Sequence, residues 1–162
     1  MPAKEKVQLK GRNNNMLESL KKLYARDLDT LAKEIQSFNN EENLWQIRPG
    51  ISNSAGNLAL HICGNLKHFI GTGIGQTGYV RQRELEFSQK HVPIPELIAN
   101  IKETKDIVIT TLNKISPEAL SATYPVTLRD EAFSTEYFLM HLHAHLNYHL
   151  GQINYLRRLI EG

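Results

Sequence analysis

The segment HLHAHLNYHLGQ, residues 141–152, places four histidines among twelve residues. If it is helical, His145 and His149 stand one turn apart, the separation at which two imidazoles can converge on one ion. Taking ~100° per residue with Phe138 at zero, Leu142, Leu146, Ile153, Leu156 and Ile160 fall within ~0–80°, an arc that faces a core. His149 lies near ~20°, His145 near ~340°, His141 near ~300° and His143 near ~140° on the same wheel. The pair therefore points inward, His141 sits at the edge, and His143 reads as a surface residue. Two buried imidazoles without a shared partner would each cost on the order of 1–3 kcal/mol in lost hydrogen bonding, and a divalent ion satisfies both. Zinc, nickel and iron all accept neutral imidazole, and a zinc site needs at least a third protein ligand. That ligand must come from another helix. The stretch NLALHICGNLKHFI offers His61 and His68, both bordering an apolar stripe, and periodicity does not choose between them.

Four helical segments can position these groups. The first is expected from Asn13–Asn15, which are capping residue types, through Leu17, Leu20, Leu23, Leu28, Leu31, Ile35 and Phe38 to Asn39 and Asn40. Pro49 and Gly50 then break the chain, and Asn53 or Ser54 can cap a second helix carrying Leu58, Ile62, Leu66 and Phe69. The glycines of GTGIGQTG, residues 71–78, end it and read as a flexible connection. Pro93 and Pro95 announce a third helix with Leu97, Ile101, Val108, Leu112 and Ile115 on one stripe, closed by Ser116 and Pro117. TYPVTL is β-prone but isolated, an extended loop or a short hairpin arm. Ser134 caps the last helix, with Phe133 and Phe138 placed for a hydrophobic staple.

These elements predict an all-α fold, a four-helix bundle in one domain over residues 13–162 after a flexible tail at residues 1–12. The connection from Gly71 to Val92 is long enough to return along a whole helix, which would leave the second and third helices parallel.

Composition narrows the function. Nineteen basic and seventeen acidic side chains leave a net charge of +2, too balanced for a protein that grips nucleic acid. One cysteine, Cys63, excludes an internal disulfide and a CxxC motif, and on the wheel it lies ~200° from His61. There is neither a signal-like apolar run nor a membrane-length one, so a cytoplasmic location is expected. No GxSxG, HExxH or phosphate-binding glycine loop occurs. The RQRELE run, Arg81 to Glu86, reads as a solvated face rather than the mouth of a pocket for an anion, and Trp45 and Tyr24 as core or rim residues.

The stretches WQIRPGISNSAGNLALHICGNLKHFIG, YVRQRELEFS and HLHAHLNYHLGQINYLRR resemble the DinB/YfiT-like superfamily of metal-binding four-helix bundles, in particular its bacterial members of unknown function, over nearly the whole chain from Asn14. The resemblance implies a divalent metal held by a histidine of the second helix and the HxxxH pair of the last. By motif these are His61, His145 and His149, so the resemblance selects His61 over His68. Characterised relatives include transferases and isomerases that use low-molecular-weight thiols such as bacillithiol or mycothiol, and a homodimer is a further expectation, for which Leu60 and Ile70 lie off the predicted core stripe. Three histidines leave an open position where water or a thiol would have its pKa lowered. The readings carried forward are a metal-dependent enzyme acting with a small thiol, a metal-dependent hydrolase, and a metal-stabilised bundle that binds a ligand or partner without turnover. A fourth protein ligand, His68 or His141, would favour the last.

Overall fold

In a computed structural model, residues 3–126 and 131–162 are described, with side chains from Gly11 onward. Five α-helices account for the architecture: α1 (Ala3–Gln36), α2 (Ala55–Leu66), α3 (Arg83–Ser88), α4 (Ile94–Lys114) and α5 (Thr135–Glu161). α1, α2, α4 and α5 are the four long segments expected from periodicity, and α3 is a short helix inside the long connection. Among the described residues no sheet forms, and no helix is long and apolar enough to cross a membrane.

Side-chain pairs along the helices fix their directions. Asn13 meets Pro117 and Ser121, Lys21 meets Asn113 and Lys105 meets Asp29, so α1 and α4 are antiparallel. Tyr24 meets Leu139, Asp27 meets His143 and Glu34 meets Arg157, so α1 and α5 run together. His61 lies beside His149 and Phe69 beside Phe138, which makes α2 antiparallel to α5. The order is up, down, down, up. α2 and α4 are therefore parallel, as the long crossover predicts, and Lys67 reaches Glu103 across them.

The core is continuous through the bundle, from Leu17, Leu28 and Ile35 of α1 to Ile62 and Leu66 of α2, Ile101 and Leu112 of α4, and Leu146 and Ile153 of α5. Tyr24, fully buried, takes the core position that the leucine pattern assigns to its neighbour Leu23, and its hydroxyl donates to the Leu139 carbonyl at 2.7 Å. Trp45 is also buried. It lies so close to Gly56 that a β-carbon there would stand 2.6 Å from the indole ring.

Several local expectations are corrected. α1 starts at Ala3, so residues 3–12, expected as a flexible tail, are helical; Ala, Lys, Glu, Gln and Leu are good helix formers, and the helix carries on through the single glycine, Gly11. Asn13 is consequently no cap, and its amide instead donates to the Pro117 carbonyl at 2.9 Å. Ser54 does cap α2, accepting from Asn57 N–H. α2 then passes into a wide π turn, Lys67–Thr72, where Gly73 N–H bonds the His68 carbonyl. Gly73 and Gly75, which follow, are packing sites rather than parts of a flexible connection. A β-carbon at Gly73 would stand 2.2 Å from the Tyr124 hydroxyl, and one at Gly75 2.4 Å from Thr111 Oγ1.

Thr123 and Ser134 form an isolated antiparallel bridge; Thr127 and Leu128, the end of the TYPVTL stretch expected as an extended loop or hairpin arm, lie outside the described residues. Ser134 caps α5, but Phe133 stacks on Tyr137, while Phe138 enters the core against Tyr124 and Phe69. Ile70, read from the sequence as off the core stripe, is fully buried because the π turn rotates it inward.

Candidate metal centre

His61 is buried on α2, and His145 and His149 are half-buried on α5, one turn apart. The Nε2 atoms of His61 and His145 are 3.3 Å apart, and those of His145 and His149 3.0 Å apart. Two nitrogens each ~2.05 Å from one tetrahedral ion would be separated by ~3.3 Å. One ligating nitrogen from each ring falls within 4.8 Å of both others. Among the described residues this is the one group of three or more potential ligands so arranged.

The far side of each ring decides what the near side can do. His61 Nδ1 lies 2.8 Å from Glu86 Oε2, and a carboxylate acceptor there fixes the proton on Nδ1. His149 Nδ1 lies 2.7 Å from Gln152 Oε1, which fixes its proton in the same way. Both Nε2 atoms are then bare lone pairs facing His145, so in the neutral state at most one proton, carried by His145, lies among three converging nitrogens. Burial, then the neighbouring His149 and His61, push the His145 imidazole down to about 4. Burial also lowers His149, against the hydrogen bond to Gln152. Three uncharged donors with their lone pairs turned to one point suit a divalent cation, which would relieve that crowding.

Glu86 is held in place from three sides. Burial alone would raise its carboxyl, but hydrogen bonds from Arg81 and then His61 outweigh that and leave it below the ordinary carboxylate value. Arg81 grips it with two donors, Nε at 2.6 Å and Nη2 at 2.7 Å. Gly64 makes the approach available, because a β-carbon there would lie 2.1 Å from Glu86 Oε1. The Asn57 amide donates to the Glu86 and Gln89 carbonyls at 3.0 and 2.9 Å, pinning α3 across α2. Phe87 covers the His61 ring at 4.9 Å.

The remaining candidates stand apart from the cluster. His68 packs edge-on against Phe69, its pKa lowered by burial and then by Arg81, and His141 is exposed beside Phe138. Neither joins the group. His143 is not free on the surface as the wheel suggests; its Nε2 lies 2.8 Å from Asp27 Oδ2, with Asn147 donating to the same oxygen. Cys63 is buried, and burial pushes its thiol up to about 11.

Sequence reasoning missed Arg81, Glu86 and Gln152. RQRELE is solvated at Arg83 and Glu84, while Arg81 and Glu86 at its ends turn inward. Gln152 carried a usable signal, since it lies three residues beyond His149 on the same helical face.

The bundle has a DinB-like fold, and its histidine cluster is a candidate metal centre. The chain belongs to the family described as a protein of unknown function, DUF1572, whose model matches residues 12–162. The crystal structure of a DinB-like protein from Bacillus cereus ATCC 10987 is similar in fold, with a TM-score of 0.70 and 19% identity over 88% of this chain and 91% of that one. No curated protein matches the chain.

Proposed function

We propose that His61, His145 and His149 bind a divalent metal ion, zinc or nickel before iron, and that the protein uses it to activate a low-molecular-weight thiol for transfer to an electrophile. The observation that carries this reading is the pair of outer hydrogen bonds, Glu86 to His61 and Gln152 to His149, which turn two bare Nε2 atoms toward His145. An ion held by three neutral histidines keeps its full charge, and in an open fourth position it would lower the pKa of a thiol or a water.

The chain's own residues prepare that position. Glu86 and Gln152 orient two rings, Arg81 offsets the Glu86 charge, and Phe87 shields His61 from water. A non-catalytic bundle would be favoured by a fourth protein ligand, and neither His68 nor His141 lies in the cluster. The choice of thiol over water rests on the superfamily resemblance alone.

The test is to titrate cobalt-substituted protein with bacillithiol, mycothiol and glutathione, following sulfur-to-metal charge-transfer absorption, with His61→Ala as control. A band that grows to saturation with one thiol, and is absent from the control, supports the reading. Failure of every thiol to perturb the spectrum, with water exchange at the metal demonstrable, would transfer the proposal to hydrolysis.

A further inference from the structure

Beside the cluster, between the loop that precedes α2 and the outer side of α5, lies a cavity of about 620 Å³. That is the size of a small-molecule site. Its walls are largely apolar, with Leu58 and Leu156 at the back and Tyr148 and Tyr155 along one side. The tyrosines are two helical turns apart on one face and are 65% and 67% exposed, although large aromatic rings gain most from burial. Among the described residues, no charged side chain lines the cavity.

The cavity adjoins two of the three histidines. Leu58 precedes His61 by three residues, and the Tyr148 ring lies 5.2 Å from that of His149. Gln152 belongs to both places: its Oε1 meets His149 Nδ1, and its side chain lines the cavity. With the oxygen committed to histidine, the Nε2 donor of Gln152 is engaged by no described residue, and the Ser52 and Asn53 side chains are likewise unengaged. An apolar, uncharged space with ring walls and free donors matches a flat ring that carries a hydrogen-bond acceptor.

We propose that this cavity is the subsite for the second reactant and takes an uncharged aromatic carbonyl compound, its ring against Tyr148 and Tyr155 and its oxygen accepting from Gln152. The assignment of the occupant as a reactant rests on the metal-dependent function proposed above; binding itself does not. Gly151 supplies the decisive variant, because a β-carbon at that position meets nothing within 4 Å. Gly151 lines the cavity, so Gly151→Leu would place a larger side chain against it and, within a helix, at no backbone cost.

The experiment is a calorimetric and NMR titration of the full chain with benzamide, with benzylammonium as the charged comparison, on zinc-loaded and on metal-free protein, alongside light scattering. Benzamide should bind saturably at one per chain, roughly tenfold or more tighter than benzylammonium, and Gly151→Leu should weaken it by roughly tenfold or more at unchanged zinc content. Equal benzamide affinity in Gly151→Leu, or no saturable binding, would overturn the subsite. So would a dimer that forms through this face and is lost in Gly151→Leu while benzamide fails to bind, since a second copy would then be the occupant. Zinc uptake without benzamide binding sinks the subsite alone, and benzamide binding by a chain that takes up no metal leaves the subsite standing while the metal reading falls.

Discussion

Glu86 and Gln152 do no ligating in this account, yet they set which nitrogen of His61 and His149 is free to ligate. Removing such an outer partner commonly lowers metal affinity by about 10–100-fold. Glu86→Ala and Gln152→Ala should each show a loss of that order in a chelator competition, with unchanged far-UV circular dichroism; unaltered affinity in both would remove the orienting role. His143, in contrast, works with α1. Burial opposes the charge on Asp27, but hydrogen bonds from Arg26, Asn147 and His143 prevail and hold its carboxyl below the ordinary 3.8. A depressed carboxyl stabilises the fold fully above that ordinary value, and the contribution disappears as pH falls through the lower folded value. Asp27→Asn should therefore narrow the stability difference between pH 6 and pH 3, measured by urea denaturation. An identical pH dependence in the two proteins would rule the ion cluster out as an acid-sensitive element.

At the scale of elements, the site depends on how closely α3 approaches α2. Glu86 comes from a six-residue helix that cannot stand alone, and Asn57 and the missing side chain at Gly64 bring it within reach of His61. Gly64→Ala would force Glu86 outward, which loosens His61 even though alanine is the better helix former. The expected result is a metal affinity reduced by about tenfold or more, with thermal stability of the metal-free protein lowered by much less than a core cavity would cost. The four long helices were legible because each buries a stripe repeated over several turns, and the inward face of α5 could be read for His145 and His149 on the same basis. The α3 contacts were not legible. Arg81 and Glu86 look like any solvated charge run until the crossover folds back, and the π turn at Lys67–Thr72 shifts Ile70 inward by a register change that a fixed helical period cannot express. The α1 start at Ala3 was missed for a different reason: three asparagines at 13–15 imitate a cap, whereas the helix runs through them and the Asn13 side chain bonds the Pro117 carbonyl instead of capping.

Across the whole molecule, the cluster joins α2 to α5, and α5 is bound along its length to α1 through Tyr24, Asp27 and Glu34. An ion at the cluster would therefore tie two antiparallel helices of one continuous core. At 100 times its dissociation constant a ligand specific for the folded state adds about 2.7 kcal/mol, which for a chain of this size raises the melting temperature by roughly 5–10 °C. Scanning calorimetry with and without zinc should show that rise in the native sequence, and none in His145→Ala.

The most direct measurement is metal content by elemental analysis after equilibration with limiting zinc. The native protein should hold about one ion per chain, since a site built from three convergent imidazoles binds a single ion. His61→Ala, His145→Ala and His149→Ala should each lose most of it, while His68→Ala, His141→Ala and His143→Ala should retain it. Equal occupancy across all six variants, or loss in the second group rather than the first, would contradict the assignment of the three-histidine centre.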